Sequence, residues 1–206
     1  MIYKCTPSFY HQIPAQEDLY ALFLMKAELI RRDTGLVIDR VTPIVYQERR
    51  RRGIKKAKKV GIEVQEARSF DAFWNEVLVP NLLEKFGVKP VHSLNEITYL
   101  KHQTPGAIRQ FNALLDGRIV AGTTLYINSG VVYAQYISST YEGKATGAVD
   151  FLFDELIQSI FNEYRFFSFG IFNENQGRAV NVGLLNWKEG FGAKAYVHDF
   201  YKIELN

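Results

Sequence analysis

The segment LLNWKEGFG, residues 184 to 192, places a lysine, Lys188, directly after Trp187 and ahead of two glycines that flank a phenylalanine. A cation fixed beside a carbonyl can stabilise the negative charge that builds on its oxygen under attack, by roughly 3 kcal/mol. Near a helix end, with Gly190 behind it, the same lysine also suits the helix dipole and a glycine C-cap. Gln135 is the next residue of interest. If 131 to 137 is a strand, Val131, Tyr133, Gln135 and Ile137 share a face, so an amide stands among apolar neighbours and needs partners, internal or from a substrate. Tyr136 then points the other way, and its phenol can give a proton to a leaving group; Tyr196 and Tyr201 are alternatives among twelve tyrosines. Asn173, Asn175 and Arg178 form a polar loop after the apolar run FFSFGIF. At the carboxyl end of a strand with a parallel neighbour, Arg178 can hold a phosphate or serve as an ordinary loop arginine. His92 and Glu96 fit a general base no better than they fit loop and capping duty.

Other chemistries find little support. The histidines at 11, 92, 102 and 198 have no H-E-x-x-H or paired ligand spacing, so no metal is expected. Neither a G-x-S-x-G elbow nor a Walker loop occurs. One cysteine, Cys5, allows no internal disulfide and suits a reducing compartment. There is no run of about eighteen apolar residues and no basic-then-apolar start. A cytoplasmic protein without membrane insertion is expected, with its oligomeric state open.

At 206 residues, 47% of them hydrophobic, the chain can bury a sizeable core. Its net charge of +3 is unevenly spread. RRRRGIKKAKK, from Arg49 to Lys59, carries eight cations and no acid; taking those eight from the 25 leaves 17 basic against 22 acidic residues. A local basic face in an acidic remainder suits an anionic partner such as phosphate, nucleotide or RNA, or else a solvated helix face.

These residues need elements to hold them. The spacing of Leu19, Leu22, Phe23, Lys26, Ala27 and Ile30 predicts a helix over 17–32, stopped by Asp33, Thr34 and Gly35. LVIDRV then reads as a strand, 46–60 as the basic helix ending at Gly61, and 62–67 as a strand. Ser69 can cap a helix whose stripe is Phe70, Phe73, Trp74, Val77 and Leu78, with Pro80 bending or breaking it. Ser93 and Glu96 have capping-box spacing. From Ile108 to Ser138 the period is two, with turns at Asp116-Gly117 and Asn128-Ser129-Gly130, which predicts an antiparallel meander. A glycine-bearing loop, TYEGKATG, leads to a long helix with Ala145, Val149, Leu152, Phe153, Leu156 and Ile160 inward. FFSFGIF reads as a strand covered on both faces, followed by a helix over about 178–189 and a last strand in AKAYVHDFYKIEL.

The order of elements, with a crossover helix entered through a Gly-containing loop and a K-x-G-F-G helix end, resembles the GNAT acyltransferase fold. More narrowly, RRRRGIKKAKKVGIEV, AQYIS, FFSFGIFNENQG and LLNWKEGFGAKAYVHDFY resemble the Fem-like branch, in which two GNAT units lie in tandem. The resemblance implies an α+β fold with a mixed sheet: a partial N-terminal unit over 1–60, the rear half of a degenerate copy, and a complete GNAT-like domain over 61–206. It also implies transfer of an acyl or aminoacyl group from an acyl-CoA or an aminoacyl-tRNA to an amine, such as a small molecule or a peptidoglycan precursor, with tRNA as a partner. On this resemblance Lys188, Gln135 and Tyr136 are the catalytic candidates, and Gly143, Lys144, Gly147, Arg178 and Asn175 are the candidates for holding the donor. The family's Q/R-x-x-G-x-G/A phosphate loop is only loosely matched by TYEGKATGA. Asp150, in the first turn of the helix that follows, repels a diphosphate or serves as a helix-start acid. The alternative is a non-catalytic module that binds RNA or another polyanion through the 49–59 helix. A further alternative is a degenerate copy that works only with a missing N-terminal half.

Overall fold

Turn chemistry and hydrophobic period carry through to most elements of the computed structural model, which describes residues 1–205. In chain order these are β1 (Ile2–Lys4), α1 (Glu17–Leu24), β2 (Glu28–Asp39), α2 (Glu48–Lys59) and β3 (Glu63–Ala67). A π-helical stretch (Phe73–Leu78) then runs into α3 (Val79–Phe86), followed by α4 (Leu94–Gln103), β4 (Ile108–Leu115), β5 (Arg118–Ile127) and β6 (Val131–Ser139). Next come α5 (Tyr141–Thr146) and α6 (Ala148–Glu155), the latter continued by a π turn (Leu156–Ile160). The chain closes with β7 (Phe166–Ile171), the short pair β8 (Asn173–Glu174) and β9 (Ala179–Val180), α7 (Val182–Glu189) and β10 (Lys194–Lys202). Two compact units result: Met1–Val45 together with the chain from Arg165 on, and Tyr46–Tyr164.

In the Tyr46–Tyr164 unit, β3, β4, β5 and β6 pair in that order, each antiparallel to the next. Asp116 (φ 49°) and Gly117 (φ 75°) both sit in the left-handed region, as the two-residue turn between β4 and β5 requires. Ser93 and Glu96 close the expected capping box. Phe70, Phe73, Trp74, Val77, Leu78 and Ile97 form a buried cluster with Tyr136. Pro80 does not break this helix. The turn before it widens, with the Val79 N–H donating to Trp74 O five residues back, which makes room where a proline ring and a missing donor would otherwise disrupt the ladder. Asn81 then reaches Ser138 Oγ at 2.8 Å. The loop expected at TYEGKATG is instead the helix α5, because Thr140 caps it by accepting from Gly143 N at 3.0 Å. In the long helix that follows, the π turn shifts the inward phase: Ile157 is fully buried and Ile160 is 37% exposed.

In the other unit the order is β1, β10, β2, β7, again antiparallel throughout. The helix expected over 17–32 ends at Leu24, where Lys26 turns the chain at φ 53°. Residues 28–39 form β2 instead, since pairing with β10 on one side and β7 on the other gives a second set of backbone partners that local helical spacing does not offer. Arg31 and Arg32 are forked onto Asp33 and Asp199. β7 is buried from Phe166 through Gly170, as a strand covered on both faces requires. Among the described residues no helix is long and apolar enough to cross a membrane.

Candidate functional site

The candidate residues divide between the two units. Gln135 and Tyr136 lie in β6, at a bulge: Tyr136 faces Thr124 on β5 and Ala134 faces Leu125, so Gln135 is the extra residue. Simple alternation turns Tyr136 away from Gln135, and the bulge breaks that alternation at this point of the strand. Tyr136 is buried, with Trp74 edge-on at 5.0 Å. Its oxygen accepts from the His92 backbone N–H at 3.1 Å and lies 2.6 Å from His92 Nδ1. Trp74 Nε1 donates to His92 O at 3.3 Å, so one loop residue is tied at three atoms. Burial pushes the Tyr136 phenol up, against the pull of the His92 N–H that donates to it. In the sequence His92 was one loop histidine among four; only the fold brings it to Tyr136.

In the same unit the glycine candidates meet protein. A Cβ on Gly143 would stand 2.1 Å from Val120 O. One on Gly147 (φ 79°) would stand 2.5 Å from Gly53 O, and one on Gly53 2.1 Å from Asp150 Oδ2. These glycines therefore let α5, α6 and α2 approach their neighbours closely. Asp150 is buried in an ion pair with the equally buried Arg50, 100 residues away in the chain, which settles its role as a structural carboxylate. Lys144 is exposed and lies beside Lys85 of α3. Partial burial first, then the Lys144 ammonium, pull the Lys85 pKa down to about 8.

Lys188 belongs to the other unit. It is 3% exposed on α7, and its Nζ donates to Gly170 O at 3.1 Å and Ile171 O at 2.6 Å. Successive carbonyls of a regular strand point to opposite sides; here Gly170 sits at φ 70° beside a register shift against β2, and both carbonyls turn to one ammonium. Burial pulls the Lys188 pKa down to about 7. Phe169, Trp187 and Phe191 pack around the same junction with ring centroids 5.4 to 5.6 Å apart. Beyond β7, buried Asn173 accepts from Thr34 N at 2.6 Å and donates to Asp33 at 2.9 Å. Asn175 (φ 49°) turns the chain, and Arg178, exposed, donates its backbone N–H to Asn175 O at 3.1 Å. His198 is buried with Nε2 unpartnered, and burial lowers its pKa. Among the described residues no group of three or more His, Cys, Asp or Glu could hold a metal ion.

The model of the acetyltransferase (GNAT) domain family matches residues 46–189, well over half of the chain. The chain belongs to the GNAT family. No curated protein matches it. Its fold is shared with FemX (TM-score 0.70, 12% identity, 89% of this chain and 68% of FemX). L-PGS from Bacillus licheniformis is similar in fold as well (TM-score 0.64, 16% identity, 93% of this chain and 66% of that one). So is a conserved protein of unknown function from Bacteroides thetaiotaomicron (TM-score 0.58, 14% identity, 89% and 66%). The GNAT chain thus spans about two thirds of the length of each. The α+β GNAT fold expected from the sequence is the fold observed.

Proposed function

We propose that this GNAT-family chain transfers an acyl or aminoacyl group from an activated thioester or ester donor to an amine. The observation that carries this reading is the buried Lys188 ammonium, held on the two carbonyls at the end of β7 in a chain matched by the GNAT model. The amine nitrogen attacks the donor carbonyl, the oxygen gains negative charge, and the thiolate or alkoxide leaves with the proton that the nitrogen loses. Lys188 stabilises the charged oxygen. Gln135 and Tyr136 place the reacting groups. Gly143 and Gly147 face protein backbone, so on that side the donor's phosphates fall to Lys144 together with Lys85, and Asn175 and Arg178 serve in the other unit. Likeness in fold to FemX supports aminoacyl-tRNA and a peptidoglycan-precursor amine beside acyl-CoA and a small amine, all in the cytoplasm. The test is a transfer assay on the purified chain with acetyl-CoA, longer acyl-CoAs and aminoacyl-tRNA, against simple amines and a UDP-linked muropeptide. Turnover that vanishes in Lys188→Ala while circular dichroism is unchanged supports the reading; no transfer from any donor overturns it.

A second reading rests on α2. Arg50 and Lys58 engage Asp150 and Asp154, whereas Arg49, Arg51, Arg52, Lys55, Lys56 and Lys59 are all exposed along about 18 Å of helix. A polyanion-binding module without catalysis predicts RNA binding that weakens steeply with salt and is lost when these six are neutralised.

A further inference from the structure

The hydroxyl of Tyr136 has two hydrogen-bond partners, both on His92, and their roles can be assigned by elimination. The His92 backbone N–H at 3.1 Å can only donate. The phenol proton has no other acceptor within the described residues, and a buried hydroxyl hydrogen is rarely left unpaired, so it goes to His92 Nδ1 at 2.6 Å. Nδ1 is then the acceptor and the ring hydrogen of the neutral imidazole sits on Nε2. The ring is held besides by Trp74 Nε1 on the His92 carbonyl and by the Ser93–Glu96 capping box that starts on the next residue. His92 is half-buried, and no bond to its Nε2 is made within the described residues.

We propose that His92 is a further residue for acyl transfer, contributed by the Tyr46–Tyr164 unit: a fixed Nε2–H donor for a negatively charged oxygen of the substrate, with Tyr136 as the positioning residue behind it. The assignment rests on the transfer reading above and adds to it a residue, an atom and a tautomer. Tyr136 stands directly beside the bulge that makes Gln135 the extra residue of β6, and bulges are enriched beside active sites. A donor whose direction is fixed before the substrate arrives needs no reorganisation when charge develops, which is where such groups contribute most to rate.

The test begins without turnover. Long-range 1H–15N correlation of the His92 ring in the intact protein should show one neutral tautomer, with the proton on Nε2, and Tyr136→Phe should let the other tautomer appear. A ring protonated on Nδ1, or an even mixture, in the unsubstituted protein overturns the assignment. With an active donor and acceptor pair, His92→Ala should lower kcat/KM by about 10²-fold. His92→Gln, whose amide N–H can stand near the lost Nε2–H, should recover part of that, and His92→Asn less. Unchanged kcat/KM in His92→Ala removes the residue from the site while leaving the transfer reading intact. If no donor turns over, the transfer reading fails on its own, and titration with coenzyme A and with inorganic phosphate decides the rest. A shift at His92 Nε2 with either probe keeps the residue as an anion donor; none overturns it.

Discussion

Lys188 donates from one buried ammonium to two consecutive carbonyls, those of Gly170 and Ile171, at 3.1 and 2.6 Å. Only a strand bent at a left-handed glycine brings both oxygens to one point, so the cation and the kink in β7 depend on each other. Burial lowers the Lys188 pKa to about 7, from 10.5 in the unfolded chain. Between those values the unfolded state binds the extra proton. Stability therefore rises with pH across that window and loses this dependence below about 7. Urea midpoints at pH 7 and pH 9 should show the native protein gaining on Lys188→Met by about 1 to 3 kcal/mol. If the ammonium is the form that works, kcat falls as pH rises through about 7.

Arg50 and Asp150 join α2 to α6 in the interior of their unit. Removing one partner strands a buried charge. Arg50→Met or Asp150→Asn alone should cost about 3 to 5 kcal/mol in denaturant unfolding, and the double substitution less than either added to the other. Burial already lowers the Arg50 pKa despite the nearby carboxylate, which shows how little water reaches the pair.

Gly147 supplies a different kind of check. With a backbone oxygen 2.5 Å from where a Cβ would sit and φ at 79°, Gly147→Ala should destabilise the free protein by roughly 2 to 4 kcal/mol, with no ligand present. Gly117→Ala has the same φ problem but open space around it, and should cost only about 1 kcal/mol. Equal melting temperatures for the two variants would return Gly147 to an open ligand loop.

Ile157 and Ile160 test the phase of the long helix. Ile157→Ala should cost about 2 to 4 kcal/mol and Ile160→Ala less than about 1, because only the first is enclosed. Thermal unfolding of the two variants measures the difference.

Local signals read well from the residues alone. Asp116-Gly117, the Ser93–Glu96 box and the apolar run of β7 each act over a few positions, and each forms as expected. The miss at 17–32 has the opposite cause. Helical spacing there is a weak local preference, and partners more than a hundred residues away, in β7 and β10, outweigh it. Site geometry was the least legible part. A bulge is set by register between two strands, so nothing in AQYIS announces that Gln135 is the extra residue or that Tyr136 meets His92. No feature of RRRR marks Arg50 as the one arginine that faces inward, because its carboxylate lies a hundred residues downstream.

The wide turn ahead of Pro80 holds one residue more than a regular helix would need to cover the same path. Deleting a single residue between 73 and 78 would restore uniform winding and keep Asn81 towards Ser138, yet it would drive the proline ring into a carbonyl of the turn before it. Shortening the chain there is therefore a harsher change than most point substitutions, and length at this place is a property that any redesign of the helix must preserve.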